Sequence, residues 1–336
     1  MIQRINNLQH ALDDNHFDSF FISSQANVSY LTGFSGLAPH EREAYLFVTM
    51  KNAYLLTFPT YFGLFKNGGS GFTALNITHS KRLKDNLSEI IKKESISNLA
   101  FEKADLTVSE LESLKSKLTI PFIGSEHLVE QERIIKDKEE LDCIKIAAQI
   151  TDQAFNFILR KMKKGISEKE IALELEFFLK RKSGDIAFSP IVAFNENAAI
   201  PHYIPSKDQR LKTNSLILLD FGARYKGYCA DMTRVIFFGS PNDSWIKVYK
   251  TVLHAQTLAL KAIKSGVLGG SIDKIARDYI VSQHYPEYPH GLGHGVGLAI
   301  HEAPPPSERW YRYSERKYGR YRRTRYIPRR QLRCKN

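Results

Sequence analysis

Two carboxylates, Asp220 and Asp231, stand at the facing ends of two apolar, strand-like runs in SLILLDFGARYKGYCADMTRVIFFG (residues 215–239). They are eleven positions apart, which suits two antiparallel strands whose inward side chains meet across a Gly-containing turn. Two acids held face to face repel unless something positive sits between them, and divalent metals take carboxylate and imidazole ligands. Each acid also has a plain structural alternative: Asp220 as a turn acid, Asp231 as an ion-pair partner of Arg234.

The imidazoles needed to complete such a site are present further along. His290, His294 and His301 lie in HGLGHGVGLAIHE, spaced by four and seven. The glycines at 291, 293, 295 and 297 are expected to let backbone pass close to a ligand. A histidine between glycines is poorly explained as core packing, although a loop of solvated histidines is the competing reading. His202 lies between two prolines in IPHYIP. One imidazole as metal ligand, with others hydrogen-bonding a reacting group, is the chemistry this set points to.

The positioning elements can be read from hydrophobic period. Strands are expected at 216–221 and 233–238, carrying the two acids. A helix is expected from Lys138 to Lys163, where Leu141, Ile144, Ala148, Ile150, Phe155, Ile158 and Leu159 recur at helical intervals, stopped by Gly165. Ser167-Glu168-Lys169-Glu170 reads as a capping box that opens a second helix to Lys180. Helices at 245–264 and 271–283 follow. Earlier, residues 1–127 read as an α/β unit: a helix from Ile2 to Asn15, a strand at 20–22, and a hairpin of AYLFVT and AYLLTF. Helices are expected at 80–93 and 109–117, with strands at 99–101 and 120–123. Nothing in that unit has catalytic spacing, so it reads as a scaffold or interface domain, and the charged segment 126–137 as its connector.

At 336 residues with 43% apolar content, two domains are expected. The sequence has no apolar run of membrane-spanning length, and its charged start lacks the apolar region of a secretion signal. Cys143, Cys229 and Cys334 are odd in number and far apart, which points to a reducing cytoplasm rather than a disulfide or cysteine–zinc scaffold. Of the net charge of +12, ten units sit in residues 307–336, so the first 306 residues carry only about +2. Nucleic acid and membrane are therefore not expected partners of the main body.

Taken together, NAAIPHY, LLDFGARYKGYCADMTR and HGLGHGVGLAIHEAP closely resemble the Xaa-Pro peptidases, prolidase and aminopeptidase P, relatives of methionine aminopeptidase. YLTGFSG and RIIKDKEELDCIKIA resemble that family's creatinase-type N-terminal domain and linker, so the likeness covers most of the chain. It implies an α/β (α+β) fold: a creatinase-type N-terminal α/β domain (1–127), then a pita-bread metallopeptidase domain (128–306), with helices on a curved antiparallel sheet. By the same resemblance Asp220 chelates one metal, Asp231 bridges two and His294 ligates the second. His202 and His301 contact the substrate carbonyl or the collapsing tetrahedral intermediate, and His290 lines the pocket near the proline. A metal-bridging hydroxide attacks the Xaa-Pro peptide bond of a dipeptide or short peptide. The implied cofactors are two divalent ions, Mn2+ first, with Co2+ or Zn2+ also suiting the ligands, and the implied assembly is a homodimer.

The sequence then departs from the pattern. The resemblance calls for two glutamate ligands beyond the histidine loop, the first in an EPGIY-like motif and also the general base. Residues 307–336, SERWYRYSERKYGRYRRTRYIPRRQLRCKN, contain neither motif. A basic, aromatic RNA-binding arm is one reading of this tail, but a change of reading frame accounts for more. Permitted codons for Arg323 to Asn336, read one nucleotide later, give Glu-Pro-Gly-Ile-Tyr-Pro-Gly-Gly-Asn-Phe-Gly-Val-Arg, the missing motif and its continuation. One inserted base near Pro304-Pro305-Pro306, which a run of cytosines can encode, produces this tail. The pita-bread domain is then incomplete and the peptidase impaired. The alternatives are a catalytically inactive pita-bread homologue acting as a protein- or peptide-binding module, and creatine or other C–N hydrolysis on the same fold. Retention of Asp220, Asp231, His202, His294 and His301 favours the peptidase.

Overall fold

The computed structural model describes residues 1–36, 41–65, 69, 71–264 and 266–303. The tail at 307–336, the run of prolines and Cys334 lie outside the described residues. The chain divides into two compact units, Met1–Arg133 and Ile134–Asn336.

In the first unit the order is α1 (Ile2–Asp14), β1 (Ser19–Ile22), α2 (Gln25–Thr32), β2 (Ala44–Thr49), β3 (Ala53–Thr57), α3 (Pro59–Phe65), β4 (Thr73–Asn76), α4 (Leu83–Glu94), β5 (Leu99–Glu102), α5 (Val108–Lys115), β6 (Phe122–Ser125) and α6 (Leu128–Ile134). Six strands form one mixed sheet in the order β4-β3-β2-β1-β5-β6. The expected hairpin is present, with β2 and β3 antiparallel and Ala44 opposite Thr57. Strands β1, β2, β3 and β5 are buried along their whole length. Their unbroken apolar runs are what a sheet covered on both faces demands. Phe21, Phe47 and Leu56 pack with Leu87 and Ile90 of α4 and Leu114 of α5. The short β4 and α3 were not legible, because neither carries a distinct apolar period.

Glu102, at the end of β5, is 6% exposed and serves the N-terminus of α2. One carboxylate oxygen accepts from the Ser23 and Ser24 amides at 2.7 and 2.6 Å. The other accepts from Asn27 Nδ2, whose own carbonyl oxygen accepts from Arg133 Nη1 at 2.6 Å.

The second unit contains α7 (Lys138–Leu159), α8 (Glu168–Ser183), β7 (Gly184–Ile186), β8 (Ile191–Phe194), a 3-10 turn at Asn195–Ala199, β9 (Ser215–Phe221), β10 (Ala223–Tyr225), β11 (Tyr228–Cys229), β12 (Met232–Phe238), α9 (Asp243–Ala262) and α10 (Gly269–Ser282). Helix α7 stops at Leu159, short of the expected Lys163. Its last turn tightens, with Lys161 donating to the Ile158 carbonyl at 2.9 Å, and further on Gly165 donates to the Leu211 carbonyl at 2.8 Å and Leu211 to Ile166 at 2.8 Å. Ser167 and Glu170 form the expected reciprocal capping box at the start of α8.

Ala147, Ile150 and Ala154 of α7, with Ile171, Leu175 and Leu179 of α8, bury Val192, Ile217, Leu219 and Phe221 beneath them. Along β9 burial alternates, with Ser215, Ile217, Leu219 and Phe221 inside. The period of two therefore sets Asp220 on the face away from the helices. A separate cluster joins α9 and α10 through Ala255, Ala259, Ile272, Ala276 and Ile280. No helix among the described residues is long and apolar enough to cross a membrane.

Burial pushes the Glu102 carboxyl up to about 7, against the opposing hydrogen bonds from Asn27 and the Ser24 amide. An acid whose folded pKa is raised holds its proton longer when folded than when unfolded. Its contribution to stability is therefore present below about 4.5 and declines as the pH rises towards about 7. Thermal unfolding of the N-terminal unit should show this decline between those values, and Glu102→Gln should flatten it.

Candidate metal centre

Strands β9 and β12 pair antiparallel with Phe221 opposite Met232 and Asp220 opposite Thr233. Between them the chain makes a smaller hairpin, β10–β11, which turns at Lys226 and Gly227 with φ of 48° and 85°. Two consecutive positive φ values are what a two-residue hairpin turn favours, and a glycine takes the second of them without strain. Asp231 lies between β11 and β12, one residue before Met232, and so returns to the end of β9 beside Asp220.

The two acids interact unfavourably. Burial, then the negative charge of Asp231, raises the Asp220 pKa to about 6, against the opposing hydrogen bond of the Thr233 hydroxyl. Asp220 Oδ1 is buried and has no hydrogen-bond partner. A buried carboxylate oxygen without a donor beside a second carboxylate is an arrangement that a cation would relieve.

His294 supplies the first imidazole. Its Nε2 lies 3.3 Å from Asp231 Oδ2, and its Nδ1 faces the Gly295 carbonyl at 3.0 Å. The hydrogen bond to Asp231 raises its pKa, against partial burial. His301 meets His294 edge-on, with ring centroids 4.3 Å apart. Burial, then the neighbouring His294, lowers the His301 pKa. His202 sits at φ 53° in the turn after the 3-10 segment, near enough for its charge to act on both Asp220 and His301.

His290 is placed differently. Its Nδ1 lies 2.8 Å from the Gly291 carbonyl, and its ring leans on Tyr288, 5.3 Å between centroids. Its own carbonyl accepts from Arg277 Nη2 at 2.6 Å, and Asp273 accepts from the Leu292 amide at 2.9 Å. Helix α10 thus holds the start of the histidine segment, and the structure does not bring the His290 ring into the cluster around Asp231.

Sequence reasoning gave Glu168 no role beyond the capping box. It is fully buried. Its carboxylate accepts from the Phe194 amide (2.8 Å), Asn197 Nδ2 (3.0 Å), the Tyr203 hydroxyl (2.8 Å) and the Ser206 amide (3.0 Å). These four donors span the segment that carries His202, so Glu168 fixes that loop on α8. An acid at the first position of a helix is an ordinary sequence feature, and nothing in the spacing marked it.

Asp220, Asp231 and His294 have the donor chemistry of a divalent-metal site, and the unpartnered Asp220 oxygen fits one. They touch in pairs, however. Among the described residues no group of three or more His, Cys, Asp or Glu side chains is gathered closely enough to hold a metal ion.

A two-unit chain with an acid hairpin facing a glycine–histidine loop has the layout of a metallopeptidase, and the comparisons agree. Metallopeptidase family M24 matches residues 142–323, and the Creatinase/Prolidase N-terminal domain matches residues 4–135. The chain belongs to metallopeptidase family M24, with a creatinase-type N-terminal domain before a pita-bread domain. It is 33% identical to the Xaa-Pro dipeptidase of Pyrococcus furiosus over 311 residues, 92% of this chain and 86% of that one. The structure of an Xaa-Pro dipeptidase from Bacillus anthracis is 35% identical with a TM-score of 0.85, covering 91% of this chain and 85% of that one. An X-Pro aminopeptidase from Thermotoga maritima is 32% identical with a TM-score of 0.80, covering 89% and 85%.

Because Asp220 carries a raised pKa, ionising it costs stability in the metal-free protein. That cost is absent below the ordinary carboxylate pKa of 3.8 and grows as the pH rises to about 6. Asp220→Asn should therefore raise the unfolding temperature of the metal-free chain at pH 7 and remove this pH dependence. An unchanged or lower midpoint would show that the pair is not under charge strain.

Proposed function

We propose that this chain derives from a dinuclear metal-dependent peptidase that hydrolyses the Xaa-Pro bond of dipeptides or short peptides, and that the chain as written is impaired. The observation that carries the reading is the half-buried Asp220, with one unpartnered carboxylate oxygen, set beside Asp231 and His294. Asp220, Asp231 and His294 would hold the divalent ions. Bound divalent ions, Mn2+ first and Co2+ or Zn2+ as alternatives, lower the pKa of the attacking water and offset charge developing on the substrate oxygen. His202 and His301 donate hydrogen bonds to the scissile carbonyl as it gains charge, and His290 borders the proline side of the substrate. Glu168 holds His202 in place from α8.

The impairment lies in what these residues lack. The two glutamates of the family pattern, one of them the general base, are absent from 307–336. A frame change near Pro304–Pro306 accounts for that. Without the segments that bear them, the second domain folds poorly and holds metal weakly. The second reading, an inactive pita-bread module that binds protein or peptide, finds support in the lack of a three-donor group among the described residues. The survival of both acids together with His202, His294 and His301 favours the peptidase. The free thiols of Cys143 and Cys229 are in keeping with a cytoplasmic protein, and a homodimer is the assembly proposed.

The test compares the 336-residue chain with a version restored to the other frame beyond Pro306. Both are assayed on Xaa-Pro dipeptides, longer Xaa-Pro peptides and creatine, with Mn2+ and with chelator. The restored protein should cleave an Xaa-Pro substrate only with metal. The chain as written should be at least about 100-fold slower, the scale of losing a general base. Full metal-dependent cleavage by the 336-residue chain would refute the impairment. No cleavage by either form would favour the binding module.

A further inference from the structure

Lys136 lies in the charged connector between α6 and α7, a segment to which the reaction assigns nothing. Its Nζ is 3.2 Å from Glu302 Oε2, and both side chains are only 7% exposed. Burying such a pair costs desolvation that its mutual attraction does not reliably offset, so stability alone is a weak reason for it. Its position supplies a better one, since Glu302 follows His301 directly.

The segment from His294 to Glu302 is a closed loop. Gly295 and Glu302 exchange backbone hydrogen bonds at 3.0 and 2.9 Å, bringing the two ends together and setting the His294 and His301 rings edge to face. The Glu302 carboxylate folds back into the loop, where Oε1 accepts from the Ala299 amide at 3.0 Å. A Cβ at Gly297 would run into that carboxylate. This glycine therefore makes room for Glu302, not for a bound ligand as its spacing suggested. The hairpin that leads to Asp231 holds the loop from outside: the Cys229 amide donates to the Gly297 carbonyl at 2.8 Å, and Arg224 Nη1 to Leu298 at 3.2 Å. Next to Lys136, Glu140 on α7 accepts from the Asp137 amide (2.8 Å) and the Tyr228 hydroxyl (3.0 Å), tying the same connector to β11.

We infer that Lys136 is a positioning residue: through Glu302 it fixes the loop that presents His294 and His301 to Asp231. Among the described residues it reaches the site through Glu302. The role in metal uptake rests on the proposed metal site, but the placement of the loop does not.

The test uses the full 336-residue chain with Lys136→Met, Lys136→Arg, Glu302→Gln and the charge swap Lys136→Glu/Glu302→Lys. Hydrogen–deuterium exchange reads the loop directly. Amides of residues 295–302 should exchange at least about tenfold faster in Lys136→Met and Glu302→Gln, while α7 and α8 keep their protection. Lys136→Arg should restore protection, and the swap should restore part of it. Mn2+ affinity, followed by paramagnetic resonance, should fall about 10- to 100-fold in the same two single variants, the usual scale for a partner that orients a ligand. Unchanged loop exchange in both would overturn the inference. So would loss of protection spread equally over α7 and α8, which marks general destabilisation. If the unmutated chain takes up no Mn2+, the metal reading fails, and the exchange result still decides the role of Lys136.

Discussion

The charge repulsion between Asp220 and Asp231 is the constraint around which the second unit is arranged. Burial and the neighbouring charge hold Asp220 at about 6, and one of its oxygens has no donor. A fold that merely needed two strands joined here has no use for that strain, whereas a cation site does. The strain is local and its supports are ordinary. Alternation along β9 turns Asp220 away from the helices, and the β10–β11 hairpin returns the chain to set Asp231 beside it.

Three separate supports hold the segments that bear the histidines. Glu168 gathers four donors from the segment bearing His202. Asp273 and Arg277 of α10 hold residues 288–292. Lys136, through Glu302, closes the loop from His294 to His301. Each is a buried or half-buried charged group that holds a loop, and of the imidazoles so placed His294 lies against Asp231 while His290 leans on Tyr288. Asp231 and His294 stay partly open to solvent, while Glu168 and the Lys136–Glu302 pair are enclosed.

What could be read from sequence follows from where information is local. The period of two in LILLDF, the helical period of residues 138–159 and the Ser167–Glu170 box are set by near neighbours, and all appear in the structure. The spacing of Asp220 and Asp231 likewise encodes the hairpin. The supports were not legible, because Glu168 and Lys136 act on residues far along the chain and look like common surface charges in their own surroundings. The glycine at 297 was seen but given the wrong cause, since its neighbour Glu302 is adjacent only in three dimensions. Helix α7 ends at Leu159 in a tightened last turn, where the Arg160 and Lys161 amides donate to the Phe157 and Ile158 carbonyls. Residues 304–336 lie outside the described residues, so the frame change stands on codon arithmetic and on the family pattern.

The central claim is that the hairpin and histidine loop are half of a dinuclear site whose other half is absent from this reading frame. Calorimetric titration with Mn2+ tests it most directly, comparing the 336-residue chain with the frame-restored protein. The account predicts about two ions bound tightly per restored chain, and at most one weakly held ion in the chain as written, lost on Asp220→Asn. Two tightly bound ions in the 336-residue chain, or none in the restored protein, would contradict it.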